Sequence, residues 1–443
     1  MWKVFLMFLA PMMLANILQS LSGTLNSVFL GQMIGVSALA AASAFFPVML
    51  FLISFVMGLG SGASVLIGQA WGARQPERVQ AVAGTTLSCG ILGGLVVAIF
   101  GGTFAPSLLQ ALATPADILP QATAYARVML LAMPGFFLFL LVTSIMRGVG
   151  DMVTPLKALV VSTLVGLAVT PALIRGWFGL PQAGVASAAY AAAVSFLVTL
   201  LWLFFHLRRK GHALAPTNEL LRHMWIDGKI LRAVLKIGIP TAVQMVIMSL
   251  AEVALLSMVN GFGSSATAAY GAGNQVLGYV QFPAMSIAIA ASILGAQAIG
   301  AGRTENLGAI TRTGILLNFA ITGALLLCGY LFSRSIIGLF TSDAAVTEIA
   351  QRMLHIVLWS TLLFGASAVV SGVMRASGTV LVPTALSISA IVLVEVPVAW
   401  VLSRRVGIDG VWMAYPFTFA TMLVLQSLYY RLVWRKQKIK RLI

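Results

Sequence analysis

Met146-Arg147-Gly148-Val149-Gly150-Asp151, followed by Thr154-Pro155, recurs as Met374-Arg375-Ala376-Ser377-Gly378-Thr379, followed by Val382-Pro383, at an offset of 228 residues. The same offset relates Gln69-Ala70-Trp71-Gly72-Ala73 to Gln297-Ala298-Ile299-Gly300-Ala301, and Gly35 with Ala40-Ala41 to Gly263 with Ala268-Ala269. An offset held across so many positions means that each half carries the same elements at the same spacing. The chain is a tandem duplication.

The composition places those elements in a membrane. Apolar residues make up 60% of the chain, charged residues 9%, and the mean hydropathy is +1.00, where a soluble protein carries about a quarter charged residues. Apolar runs of roughly 20 or more residues, enough to cross a hydrocarbon core, lie near 5 to 30, 38 to 69, 80 to 104, 122 to 146, 154 to 175, 183 to 206, 234 to 259, 265 to 299, 308 to 332, 348 to 373, 381 to 403 and 410 to 434. Backbone polar groups in lipid must be bonded internally, so these runs are expected as helices. The expected fold is an all-α integral membrane protein of twelve transmembrane helices in two pseudo-symmetric six-helix bundles, a 6+6 parallel repeat. Its boundaries are read as an N-terminal bundle over 1–206, a cytoplasmic linker over 207–233, and a C-terminal bundle with a basic tail over 234–443. The second and eighth runs exceed a single span and are expected to tilt or bend at Gly58, Gly60, Gly62, Pro47 or Pro283. Parallel repeats of this size mark secondary transporters, with a substrate path between the halves.

Net charge is +16, which in a soluble protein would suggest nucleic acid; here its distribution says otherwise. With the N-terminus inside, the inner loops and tails hold 21 of the 27 Lys and Arg, leaving Arg127, Arg175, Arg334, Arg352, Arg404 and Arg405 outside. The positive-inside rule therefore predicts both termini in the cytoplasm of a cell inner membrane. The basic run from Arg431 to Arg441 reads as an anchor to lipid headgroups, with no nucleic-acid partner. Cys89 and Cys328, the only cysteines, both fall inside spans, which excludes a disulfide framework and a cysteine metal site. No HExxH, no nucleophile with its base and no intramembrane Asp pair is present, so the chain is not read as an enzyme, and no organic cofactor is expected.

Of eleven acidic residues only Glu252 and Glu395 lie well inside apolar runs. A carboxylate at membrane depth costs on the order of 2 to 3 kcal/mol or more, so it faces an aqueous path when it has work to do there. Burial favours its neutral form, and a proton or a cation such as Na⁺ can then compete for the site. Both carboxylates are expected about 10 to 12 Å below the outer surface, from the helical rise of ~1.5 Å per residue. The bland reading is a carboxylate neutralised by a nearby Arg, and Pro397 offers a structural reason for polarity near Glu395. Uncharged polar residues form stripes at helical spacing: Gln19 and Asn26 in the first span, Gln244 in the seventh, and Tyr270, Asn274 and Gln281 in the eighth. Met245, Met248, Tyr279 and Phe282 add the soft and aromatic surface that suits apolar cations, against a default of core packing. His355 near the end of the tenth span reads as a structural donor. The turns around Arg147 and Arg375 read as tight interfacial turns with an anchoring Arg.

Gly60 to Ala73 (GSGASVLIGQAWGA), Met146 to Pro155 (MRGVGDMVTP), Gly238-Ile239-Pro240, the second arginine turn to Pro383, and Gly407-Ile408-Asp409-Gly410-Val411-Trp412 occur in order along the chain. In these stretches the chain resembles the multidrug and toxic compound extrusion (MATE) family. The resemblance implies two bundles that export mostly cationic, amphipathic organic compounds from the cytoplasm by alternating access. Entry of H⁺ or Na⁺ would drive export, with Glu252 resembling the family's acidic residue of the seventh span. Two departures bear on coupling. One branch carries an Asp in the first span where this chain has Asn26, and another an Asp in the tenth, where Phe364 to Val373 has no acid. Coupling is thus expected at Glu252 and Glu395 in the second half, with no metal beyond Na⁺ at Glu252. The substrate is expected against Gln244, Met245, Met248, Asn274, Tyr279, Gln281, Phe282, Asn26 and Gln19, in a monomer. The alternative readings are a lipid-linked saccharide flippase and a narrow-specificity metabolite exporter of related architecture. A flippase calls for mid-span Arg or Lys to hold a pyrophosphate, and none is present.

Overall fold

The computed structural model describes residues 1–179 and 182–442. Among the described residues every regular element is helical. Eleven helices are long and apolar enough to cross a membrane, and a bent pair completes a twelfth. In chain order the spans are Trp2–Met33, Phe46–Gly72, Pro76–Ala111, Leu119–Leu131 with Met133–Val149, Val153–Arg175, Ala186–Lys210, Gly228–Asn260, Ser264–Gly300, Asn306–Leu331, Ala344–Ala376, Leu381–Val406 and Ile408–Lys436. Each covers one of the twelve apolar runs.

Proline and its neighbours decide where the helices depart from straightness. The second run does not form one bent helix. It breaks at Phe45 into Val36–Ala44 and Phe46–Gly72, with Pro47 in the first turn of the second piece. A proline there has no N–H to give to the preceding turn, so the chain restarts more readily than it continues. Its counterpart, Ser264–Gly300, runs unbroken through Pro283. In the fourth span Pro134 opens Met133–Val149, and the two pieces meet at 52°. The tenth span has no proline at its middle and makes a 3₁₀ turn at Leu358–Ser360 instead.

Two spans contain a π-helical segment, Val97–Gly101 in the third and Ile391–Glu395 in the eleventh. The second of these ends two residues before Pro397. That ring would crowd the carbonyl four residues back, and a wider turn relieves it.

The chain divides into two compact units. One comprises Leu14–Ile239. The other runs from Pro240 on and includes Met1–Met13. The division therefore falls at Ile239 and Pro240, whereas sequence reading placed it around a linker over 207–233. Local contacts explain the shift. The linker backbone is held by the third span: Ser88 Oγ donates to the Met224 carbonyl at 2.7 Å, and the Asp227 N–H donates to Thr85 Oγ1 at 3.3 Å. Gly84 lies directly against the His223 carbonyl, where no side chain would fit. The opening turns of the seventh helix pack on the glycines of the second span, with a Cβ on Gly238 falling 2.8 Å from the Gly58 carbonyl. Gly58 and Gly60 thus serve close helix approach, not the expected bend.

The core of the second unit joins the seventh, eighth, tenth, eleventh and twelfth spans. Leu255, Val259, Ala284, Met353, Val411 and Trp412 are all fully buried there. These spans position the residues described next.

Candidate functional site

The seventh span carries Glu252 on an exposed stretch of its surface, while the eleventh carries Glu395 with only 6% of its surface exposed. The two carboxylates lie within electrostatic range of each other. Among the described residues neither makes an ion pair, since the two salt bridges found are His212–Asp151 and Arg352–Asp409. The bland reading of a carboxylate neutralised by arginine therefore has no partner to supply it. Glu395 closes the π-helical segment, where the wider turn sets it off the register of a regular helix.

Tyr270 of the eighth span and Tyr415 of the twelfth share a hydrogen bond between their hydroxyls at 2.9 Å, and both side chains are buried. Asn274 lies one turn along from Tyr270 and is partly buried, and both tyrosine hydroxyls sense the charge of Glu252 and of Glu395. Tyr270 stacks on Trp412, with ring centroids 5.6 Å apart and planes 9° apart. The aromatic wall continues through Tyr415 and Phe419 at 6.1 Å to Phe364 at 5.1 Å. Trp412 is fully buried and its indole N–H has no acceptor. The arrangement is a pair of uncompensated carboxylates beside a hydroxyl pair, backed by rings. Such a pair can hold a proton or a small cation, while the rings behind it belong to the buried core of the unit.

Of the expected site residues, Glu252 and Glu395 lie within electrostatic range of the tyrosine pair, and Asn274 sits one turn along from Tyr270. Tyr279 and Phe282 lie farther along the eighth span and pack edge to face at 5.8 Å, with Tyr279 39% exposed and Gln281 beside them partly buried. Met248 packs against the apolar core of the second unit, while Gln244 and Met245 are partly buried. Gln19 and Asn26 belong to the other unit, the first exposed and the second partly buried. His355 acts as a local link: its Nε2 meets Ser333 Oγ at 3.3 Å, and its carbonyl accepts from the Tyr330 hydroxyl at 3.0 Å. Sequence reading missed Tyr415 and Trp412 as site members. Their signal was the spacing 412, 415, 419, a one-faced aromatic stripe on the last span.

Both arginine turns are tight, as their glycines suggested. Gly150 ends its helix in the left-handed region at φ 92°, and Asp151 accepts from the Val153 and Thr154 N–H groups at 3.0 and 2.9 Å. Gly378 adopts φ 79°, beside a Ser377–Thr379 hydroxyl contact of 3.1 Å.

Twelve candidate membrane helices arranged as two sequence repeats define a multi-pass membrane protein of the secondary-transporter type. The MatE family model matches residues 11–172 and 240–401, one copy in each half. The chain belongs to the MATE family of multidrug efflux transporters. Probable multidrug resistance protein YoeA of Bacillus subtilis is 45% identical over 444 residues, covering 100% of this chain and 96% of that one. Probable multidrug resistance protein NorM of Thermotoga maritima is 26% identical, covering 91% and 86%. In fold, the chain matches an outward-facing multidrug resistance MATE family transporter with a TM-score of 0.88 at 24% identity, covering 97% and 95%. It also matches the Vibrio cholerae MATE transporter VcmN with a TM-score of 0.90 at 21% identity, covering 99% and 98%.

Proposed function

We propose that this transporter exports amphipathic organic cations by antiport, coupled to entry of H⁺ or Na⁺ through Glu252 and Glu395. The observation that carries this reading is the pair itself: two carboxylates at membrane depth, within range of each other and without a cationic partner. Two like charges that act on each other resist being ionised together, so the pair favours taking up one positive charge. Glu252, on the exposed surface, is the entry point, and Glu395 is the enclosed partner. The Tyr270–Tyr415 hydroxyl pair solvates the charge that remains.

Coupling then follows from differential affinity. A coupling ion held more tightly in the outward-facing state's successor than in that state moves the equilibrium toward the inward-facing form, which collects substrate. Both termini and both arginine turns face the cytoplasm in this scheme, in keeping with the 21 of 27 Lys and Arg on that side. The protein works as a monomer.

The test is efflux of a fluorescent organic cation from proteoliposomes under an imposed pH gradient and then an imposed Na⁺ gradient, for wild type and Glu252→Gln. Transport under one gradient, lost in the variant, identifies the ion and its carboxylate. Full gradient-driven efflux by Glu252→Gln refutes the assignment, and no transport of any cation by wild type points to a narrow natural substrate.

A further inference from the structure

The twelfth span does not trail off into solvent. Trp434 is 2% exposed, and its indole N–H donates to Ser377 Oγ at 3.0 Å. Its ring stacks on Tyr430 at 5.1 Å, and the Tyr430 hydroxyl meets Thr311 Oγ1 at 3.1 Å. At Gln437 the backbone turns extended, at φ −79° and ψ 143°. Beyond it Ile439 and Leu442 are partly buried, while Lys438, Lys440 and Arg441 are exposed. Leu442 occupies the space a side chain at Gly378 would need, 2.7 Å from the ideal Cβ position, and an Arg441 guanidinium nitrogen lies 3.8 Å from that of Gly302. The tail is thus a strap over one end of its unit. It touches the ninth span, the turn after the eighth, and the arginine turn after the tenth.

The outward face of the strap has a consistent chemistry. Arg435, Lys436, Lys438, Lys440 and Arg441 are all exposed, none is ion-paired among the described residues, and no acidic residue follows Asp409. Beneath it the Nε of Arg375 is buried and unpartnered, two residues from the Ser377 that holds Trp434. Immediately before the cations, Leu432 is 60% and Val433 41% exposed. Cations alone would suit any phosphate. Cations continuous with exposed aliphatic side chains, at the end of a membrane helix, suit a molecule that has both a phosphate and a hydrocarbon tail.

We infer that the C-terminal strap is a binding site for anionic phospholipid, with the phosphate held among Arg435, Lys436, Lys438 and Lys440, the acyl chain against Leu432 and Val433, and the strap kept seated on Ser377 and Gly378 by the bound lipid. This inference does not depend on which ion or substrate is transported. Its test uses the full chain in detergent. Native mass spectrometry should show phosphatidylglycerol retained in preference to phosphatidylcholine, and the preference should vanish in a Lys436→Gln, Lys438→Gln, Lys440→Gln variant. Tryptic cleavage of wild type after Lys438 and Lys440 should slow several-fold with phosphatidylglycerol, and should not slow with phosphatidylcholine or with inorganic phosphate. Equal lipid retention by the triple variant would overturn the site. Protection by inorganic phosphate alone would overturn the lipid as its ligand.

Discussion

Where the second half carries Glu252, Tyr270, Asn274 and Glu395, the first half carries Thr24, Ala42, Phe46 and Leu167 at the positions 228 residues earlier. Around these positions the halves keep the same spans and the same arginine turns. The scaffold was retained in duplicate while the ionisable chemistry stands in one copy. This is what the physics of burial favours, since a carboxylate at membrane depth is costly and a second uncompensated pair would double the cost. The bends differ as well: Pro134 turns the fourth span by 52°, and at the matching place the tenth has Leu362 just after a 3₁₀ turn.

The largest effect that tests this asymmetry is on transport. Glu252→Gln and Glu395→Gln should each lower ion-driven efflux by at least about tenfold, a barrier change of ~1.4 kcal/mol. Thr24→Gln and Leu167→Gln, at the matching sites of the first half, should lower it by much less. Equal losses from both halves, measured in the same proteoliposomes, would break the comparison.

A packing exchange between the halves sharpens it next. In the first half Gly148 receives Ile67, whose Cγ2 lies 2.9 Å from an ideal Cβ at 148; in the second, Gly295 receives Ala376 at the same 2.9 Å. Ile67 and Gly295 are counterparts, as are Gly148 and Ala376, so the small residue has changed sides while the contact was kept. Gly148→Ala should destabilise by about 1–3 kcal/mol through overpacking. In an Ile67→Ala background the same change should cost at least about 0.5 kcal/mol less, because the two residues share one space. The Ser64 carbonyl, also 2.9 Å from that Cβ position, keeps the relief partial. Thermal or denaturant unfolding of the four proteins closes the cycle, and strict additivity would contradict it.

Tyr415→Phe removes one hydroxyl and with it the Tyr270–Tyr415 hydrogen bond. A single buried hydrogen bond of this type contributes about 1 kcal/mol, so efflux should fall by several-fold at unchanged expression. Unaltered efflux would take the tyrosine pair out of the site.

The smallest expected effect lies in the first unit, where His212 sits 3.6 Å from Asp151 beside the arginine turn. Burial lowers the His212 value from its ordinary 6.5, and Lys210 and His206 add to this against the opposing pull of Asp151. For Asp151 burial acts upward from 3.8, but the Thr154 hydrogen bonds, His212 and Lys210 outweigh it and bring the value down. The folded state thus resists protonating His212, and stability declines as pH falls from about 6.5 toward the lowered folded value. The Asp151 contribution persists through that range and is lost only below 3.8. His212→Gln should flatten the decline that sets in as pH falls below about 6.5. An unchanged slope in thermal unfolding would show that His212 has no part in it.

The linker shows why some of this could not be read from the chain. Its polar composition marked it as a connector, yet Ser88 and Thr85 hold its backbone 136 to 142 residues away in sequence. Nothing in the linker's own residues announces those partners. The same holds for Phe45, where the second run broke: Pro47 offered a bend, and whether the helix bends or restarts depends on what packs around it. The arginine turns were legible because their glycines and prolines act within a few residues.

The sequence by itself determined the duplication, the twelve spans and the two carboxylates that lie inside apolar runs, because hydropathy, helix length and the cost of charge in lipid are properties of short stretches. Only the tertiary structure decided that Glu252 and Glu395 come within electrostatic range of each other, that Tyr270 finds Tyr415 at a separation of 145 residues, and that Trp434 closes on Ser377 at one of 57. Those pairings are set by how helices rotate and tilt against one another, and no local pattern of residues encodes that rotation.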